Sequence, residues 1–378
     1  MTDALDSKTI HVLHVLSSMN RGGIETWLMQ VLQRIDRHRF QLDFCCLSGE
    51  AGLYAPEIEA LGSRIFPCRL TRNLLSFNQK FSRILRATPY CVVHSHVHYF
   101  SGYILWRAAQ TGTKIRIAHS FTAPSATHGS LSRWGYFRLM SWMIERYATV
   151  GLGNSSESMQ SLYGTNWPAN PHRRLMYLGI DVKPFARIID RTTIRRQYGI
   201  PSDALIIGHV GRLTEAKNQR FLIDVEAEIE PQHDNIWLLL VGDGSLRADL
   251  VDYARRKRIT HLVMTGSVAE TQSLYGIMDL FVFPSLWEGL PQAVGEAQAA
   301  GLRCLCSDSI TSEVSIVAEA VRFMPLGEGP TKWAAACFDL LHLPKLDRNQ
   351  ARETLSASPF AIDQSVAELS SLYSSAEQ

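Results

Sequence analysis

The 378-residue chain contains no Asp-x-Asp and no Cys-x-x-Cys. The first absence removes the paired-aspartate device that holds a metal on a nucleotide diphosphate. The second leaves seven cysteines, an odd number without zinc-site or redox-motif spacing. Cys45-Cys46 and Cys304-x-Cys306 lie in apolar runs and read as buried reduced thiols, so a reducing cytoplasm is the expected compartment. No stretch approaches the ~18 apolar residues of a membrane-spanning helix. The segment Met1–Lys8 is polar and carries acid, unlike the basic-then-apolar order of a signal peptide. The net charge of +2 gives no global basic field, so nucleic acid is not an expected partner. Internal repeats and low-complexity tracts are missing. Gly242-Asp-Gly244 and Gly151-x-Gly153 are incomplete dinucleotide fingerprints and read as structural turns.

What is present is an ordinary soluble composition, 46% apolar and 20% charged, on a chain long enough for two cores. Short apolar runs alternate with amphipathic segments. Ile10–Leu16, Phe40–Leu47, Tyr90–His94 and Lys114–His119 read as strands, with helices over Glu25–Ile35 and Gly102–Thr111. The pattern restarts with strands at Ala204–Gly211, Ile236–Val241, Leu262–Met264 and Leu280–Phe283. Alternation of this kind predicts an α/β fold with parallel sheets covered on both faces. The joint falls near Tyr177–Pro184, giving two doubly wound Rossmann-like domains over 1–180 and 185–358. Ligands of such sheets bind at strand carboxyl ends, so an interdomain cleft is the expected site. Pro359–Tyr373 reads as one more amphipathic helix, able to cap the second domain or to cross back onto the first.

The richest segment is Pro284-Ser-Leu-Trp-Glu-Gly-Leu-Pro-Gln-Ala-Val-Gly-Glu296, ending at Gly301. Pro291 suits a first helical turn and Gly301 the residue just past a helix end. Glu288 then lies on a strand-to-helix loop and Glu296 within the helix. Gly211-Arg-Leu-Thr-Glu-Ala-Lys217-Asn218 places Arg212 and Lys217 after a strand, as a guanidinium fork and a point charge for phosphate, or as ordinary surface cations. Gly22-Gly23 precedes a helix that begins near Glu25, where free N–H groups suit an anion and a tight turn needs positive φ. His94, His96 and His98 alternate at strand spacing. Three imidazoles on one face can bind zinc, but a strand ending at His94 or a polar cleft lining is preferred. His119 ends a strand and should face the cleft, as a hydrogen-bond donor or a satisfied core histidine. Leu131–Arg146 is rich in aromatics and arginine, which suits a membrane surface, although a core-facing helix with a solvated polar side is preferred.

Together these residues resemble a family 4 retaining glycosyltransferase of GT-B fold, in the branch that builds capsular and exopolysaccharides. The resemblance rests on Arg21–Thr26, His94–His96, Arg116–Ser120, Gly211–Asn218, Val241–Gly244 and the Glu-x7-Glu of 288–296. It implies transfer of a sugar from a nucleotide-diphosphate sugar, expected to be UDP-linked, to a saccharide or lipid-linked saccharide. It assigns the donor to Gly23, Arg212, Lys217, Gly266, Glu288, Gly289, Leu290 and Glu296, and the acceptor to Glu25 and His96. His119 would contact the donor sugar, and His119, Arg212, Lys217 and Glu288 would carry the chemistry. No cofactor and no essential metal is expected, and peripheral contact with the inner face of the cell membrane is allowed. Phe121 stands where relatives often have a second histidine. Nucleotide-sugar 2-epimerases share this fold and are one alternative reading; a non-catalytic nucleotide-sugar-binding protein is another.

Overall fold

The computed structural model describes residues 9–71, 73–121 and 131–377. The chain divides into two compact units, one ending at Gly179 and resuming at Ile362, the other spanning Ile180–Ala361.

The first unit contains β1 (Ile10–Leu16), α1 (Gly23–Arg34), β2 (Phe40–Cys46), α2 (Ala55–Ala60), β3 (Ile65–Pro67), α3 (Leu74–Ala87), β4 (Val92–Ser95), α4 (Ser101–Ala109), β5 (Ile115–Ser120), α5 (Leu131–Tyr147), β6 (Val150–Gly153), α6 (Ser156–Tyr163) and β7 (Arg173–Leu175). The second contains α7 (Arg191–Gln197), β8 (Leu205–Val210), α8 (Gln219–Ile229), β9 (Ile236–Val241), α9 (Arg247–Lys257), β10 (Leu262–Gly266), α10 (Gln272–Ile277), β11 (Leu280–Phe283), α11 (Gln292–Ala299), β12 (Cys304–Ser307), β13 (Val321–Met324), α12 (Gly329–His342) and α13 (Arg348–Ser356). A last helix, α14 (Ile362–Ser374), belongs to the first unit.

Each unit is built on a parallel sheet, with strand order β3-β2-β1-β4-β5-β6-β7 in the first and β10-β9-β8-β11-β12-β13 in the second. Strands buried on both faces need continuous apolar runs, and Ile236-Trp-Leu-Leu-Leu-Val241 is of that type. Strand order reverses between β1 and β4 and between β8 and β11. At these points the flanking connections leave in opposite directions and open a crevice at the strand carboxyl ends.

In the first unit, Trp27, Leu28 and Val31 of α1 pack with Leu369 and Tyr373 of α14 on one sheet face. The indole N–H of Trp27 donates to Ser365 at 2.8 Å, so the returning helix is held by a buried hydrogen bond as well as by apolar area. Phe77 and Phe81 of α3, Ile104 and Leu105 of α4 and Ile144 of α5 cover the opposite face.

Two local expectations are corrected. Gly151 and Gly153 lie within β6, not in a turn. A Cβ on Gly153 would stand 2.6 Å from the Met159 sulfur, so close packing by α6 accounts for the small residue. The second correction concerns α5. Its Met140, Met143 and Ile144 are buried, but Trp134, Tyr136, Leu139 and Trp142 face solvent, with Trp134 60% and Trp142 58% exposed. The aromatic side of this helix is its outer side. All seven cysteines are free thiols, six of them buried. Among the described residues no helix is long and apolar enough to cross a membrane.

Candidate functional site

The switch point of the second unit gathers most of the residues that the sequence singles out. β8 ends at Val210, and the chain then runs through Gly211 and Arg212 to a short 3-10 turn at Glu215–Lys217. Asn218 takes a left-handed conformation, φ 53°, and its side-chain amide donates to the Pro284 carbonyl at 3.2 Å. The Leu286 N–H donates to the Ala216 carbonyl at 2.8 Å. These two bonds tie the loop after β8 to the loop after β11. Below them the buried imidazole of His209 donates through Nδ1 to the Val282 carbonyl at 3.0 Å, and Gln219 donates to the Arg212 carbonyl at 2.9 Å.

The result is a salt bridge between loops about seventy residues apart in sequence. Lys217 Nζ lies 2.6 Å from Glu288 Oε1 and 4.6 Å from the centre of the Phe283 ring. Both partners are mostly buried, so the pair is screened less than a surface one. Arg212 is exposed, and its guanidinium makes no ion pair among the described residues. It is a cation held at the rim by backbone and left available.

Gly242 explains why glycine follows β9. Its φ is +133°, and a Cβ there would stand 2.1 Å from the Gly211 carbonyl oxygen. The neighbouring strand end can close on the Gly211–Arg212 loop only without a side chain. Gly242 also donates to the Gly266 carbonyl at 3.0 Å, which places the left-handed Gly266 (φ +75°) at the same sheet edge.

The helix carrying Glu296 begins one residue later than expected. Pro291 has extended ψ, 105°, and precedes α11 as its N-cap, so the first turn opens at Gln292. Gly301, at φ +74°, follows the helix end as anticipated. Gly289 and Leu290 are buried just before α11. Glu296 Oε2 accepts from the Tyr275 hydroxyl at 2.8 Å. Its carboxylate sits deep among protein atoms although the residue keeps some exposed surface. Burial pushes it up to about 7, and the Tyr275 hydrogen bond opposes that shift.

In the first unit, Gly23 is the exposed first residue of α1, and Gly22 caps the helix without a side chain. Glu25 lies in the first turn, and its charge is felt at Cys46 and Tyr54. The histidines do not line up as the strand spacing predicts. β4 stops at Ser95, and His98 turns into the left-handed region at φ 48°. His94 and His96 instead join His14 and His119. His14 Nδ1 lies 3.0 Å from His96 Nε2, and His94 Nε2 lies 3.0 Å from His119 Nδ1. Tyr373 of α14 contacts His94 Nδ1 at 2.9 Å.

His119 is therefore fully buried, with the Phe121 ring 4.0 Å from its own, and does not face a cleft. His96 is the one member with exposed area, 9%. Burial, the largest cause in each case, lowers all four imidazoles, His14 and His119 to about 3. Nitrogens of His14, His94 and His96 come within 4.8 Å of one another, close enough for a metal. The cluster contains no carboxylate, so an ion there would bring uncompensated charge into a dry core. Mutual hydrogen bonds between neutral rings suit the donor set better.

Sequence reading missed His14 and Tyr275. His14 had a signal, one of two histidines, with His11, inside the otherwise apolar Ile10–Leu16 run. Its partner lies 82 residues away, and only the β1–β4 pairing brings them together.

Two family models match the chain: "Glycosyltransferase Family 4" over residues 21–182 and "Glycosyl transferases group 1" over residues 190–355. The putative glycosyltransferase EpsF of Bacillus subtilis (strain 168) is 31% identical over 376 residues, covering 98% of this chain and 97% of EpsF. The capsular polysaccharide biosynthesis glycosyltransferase CapH of Staphylococcus aureus is 27% identical over 294 residues, covering 76% of this chain and 78% of CapH. The structure of Anabaena Alr3699/HepE in complex with UDP and glucose superposes with TM-score 0.77 at 18% identity, covering 97% of this chain and all of that one. With two parallel α/β units and these matches, the chain belongs to the family 4 glycosyltransferases, has the GT-B fold and is a glycosyltransferase.

Proposed function

We propose that the protein transfers a sugar, with retention, from a UDP-sugar to a saccharide or lipid-linked saccharide acceptor, without a metal at the diphosphate. The observation that carries this reading is the Lys217–Glu288 pair beside the unpaired Arg212, at the switch point of the second unit. Arg212 and Lys217 bind the diphosphate and meet the negative charge that grows on it as the glycosidic bond breaks. Glu288, oriented by Lys217, accepts from sugar hydroxyls. Glu296, set by Tyr275, accepts from the ribose. Gly266, Gly289 and Leu290 offer backbone. Glu25 and His96 belong to the acceptor, and Gly23 offers its backbone N–H to the donor phosphates. His119 works from inside the imidazole network, holding the ends of β4 and β5 in place rather than touching sugar. The UDP found in the HepE complex and the capsular role of CapH support the donor and pathway class.

A panel of nucleotide sugars, assayed for transfer with EDTA present, tests this reading. Turnover of a UDP-sugar in chelator is expected. Activity lost in EDTA and restored by a divalent ion would remove the metal-free mechanism. Nucleotide release without any acceptor would favour the epimerase alternative, and tight donor binding with no chemistry would favour a binding protein.

Glu296 adds a pH signature. Below about pH 7 its carboxyl holds a proton and becomes a poorer acceptor for ribose hydroxyls. The donor KM is expected to fall severalfold between pH 6 and pH 8. A flat profile in wild type, or the same slope in Glu296→Gln, counts against the ribose role.

The outer face of α5 supports peripheral membrane contact. Trp134, Leu139 and Trp142 are exposed, and the Arg138 guanidinium stands 4.7 Å over the Trp134 ring. On the same sheet face, Arg83, Arg86 and Arg107 line a groove of about 610 Å³ between α3 and α4 that contains no carboxylate. Aromatic area beside guanidinium groups fits the interface of anionic lipid. Co-sedimentation with phosphatidylglycerol vesicles is expected to drop at least tenfold in a Trp134→Ala/Trp142→Ala double variant, and to weaken with salt. Equal binding by wild type and variant would discard this face.

A further inference from the structure

The edge of the second sheet opposite the proposed donor site carries an unexplained cluster. Glu226 lies in the last turns of α8, Glu230 caps that helix, and His261 directly precedes β10. Their ligand atoms all lie within 4.8 Å of one another. Glu226 is 1% exposed, and its Oε1 has no hydrogen-bond partner. His261 Nδ1 is likewise buried and unpartnered. A buried carboxyl oxygen without a hydrogen-bond partner is destabilising, so its presence calls for an occupant.

The other groups are already oriented. The Glu230 carboxylate accepts from the Thr260 N–H at 3.0 and 3.1 Å and from the Thr260 hydroxyl. The His261 ring stacks on Trp237 with centroids 4.9 Å apart and planes 14° from parallel. Its carbonyl accepts from the Leu238 N–H, which pins the residue to the start of the sheet.

We propose that Glu226, Glu230 and His261 form a binding site for one zinc-class divalent cation, which clamps the end of α8 to the amino edges of β9 and β10. Two carboxylates balance the charge of the ion, unlike the all-imidazole cluster of the first unit. One imidazole nitrogen with two carboxylate oxygens selects a borderline metal over magnesium or calcium, and a water completes a tetrahedral set. The site is structural, because it lies at the end of the sheet away from Gly211, Lys217 and Glu288.

The Glu226→Gln side chain keeps the shape of the carboxyl group and is expected to leave the metal-free fold intact.

The test uses the full chain, stripped with chelator and dialysed, then titrated with zinc chloride at pH 7.5. One zinc per chain by elemental analysis is expected, with saturable binding in calorimetry. At zinc about 100-fold above Kd, melting should rise by roughly 5–10 °C. Glu226→Gln and His261→Ala should each lose the bound zinc and the rise, whereas His172→Ala, an exposed histidine elsewhere, should keep both. Absence of stoichiometric zinc in the wild type would overturn the proposal. So would undiminished binding in Glu226→Gln, which would move the ion to another cluster. Sugar transfer at 25 °C in chelator is expected to be unaffected, so a failure here is separate from a failure of the transfer mechanism.

Discussion

Replacing Arg212 by alanine is expected to lower turnover about 10²–10³-fold while leaving the melting temperature unchanged. The magnitude follows from removing one preorganised charge that meets the leaving diphosphate, about 3–4 kcal/mol of transition-state stabilisation. The unchanged stability follows from the fold. Arg212 is exposed and has no ion-pair partner among the described residues, and surface substitutions of that kind shift stability by about 0.5 kcal/mol or less. Lys217→Ala should cost similar activity with a different signature. It leaves the mostly buried Glu288 carboxylate without its cation at 2.6 Å, so some stability is lost with it. Glu288→Ala should damage kcat, whereas Glu296→Ala should mainly raise donor KM. Steady-state kinetics with paired thermal melts separates these outcomes. Parallel loss of melting temperature and activity in Arg212→Ala would assign that residue to the fold. A reversal of the Glu288 and Glu296 effects would exchange their roles.

A fall in pH from 6.5 to 5 is expected to unfold the first unit before ordinary carboxylate titration does. Burial lowers His14 and His119 to about 3, well below the ~6.5 of an exposed imidazole, and lowers His94 and His96 in the same direction. The sign follows directly. Below pH 6.5 the unfolded chain takes up protons that the folded rings refuse, so stability is present above that value and lost as pH drops toward 3. At pH 5 the penalty is about 2 kcal/mol for each of His14 and His119, roughly 4 together, and the other two rings add to it. A domain stability of about 5–15 kcal/mol does not absorb much more. Near-UV circular dichroism against pH should show tertiary signal lost between pH 6 and 4.5. A His14→Asn variant should show a shallower slope over that range. Full native signal at pH 4 would mean that the network accepts protons where it stands.

Much of this protein is readable in one dimension, for identifiable reasons. β9 and β11 appear in the sequence as continuous apolar runs because a parallel strand is buried on both faces. Glu288, Gly289 and Glu296 are readable because a strand-to-helix loop and its helix have a fixed local geometry, marked by Pro291 and Gly301. Arg212 and Lys217 are readable because they follow a strand within a few residues. Periodicity fails on α5. A helix that presents Trp134 and Trp142 outward and Met140 and Met143 inward looks apolar on both sides, and no pattern says which side meets the core.

The sequence by itself determined the alternation of elements, the division into two parallel sheets and the short motifs that lie on the loops beyond their strands. Those depend on interactions within a few residues. Tertiary structure alone decided that Lys217 pairs with Glu288, that His14 and Tyr373 complete the buried imidazole network, and that Glu226 meets His261 with Oε1 of the one and Nδ1 of the other left without a hydrogen bond. Each of these joins residues about 35 to 280 positions apart. Strand order, and the return of α14 onto the first unit, set those distances, and strand order is fixed by packing of whole elements rather than by local pattern.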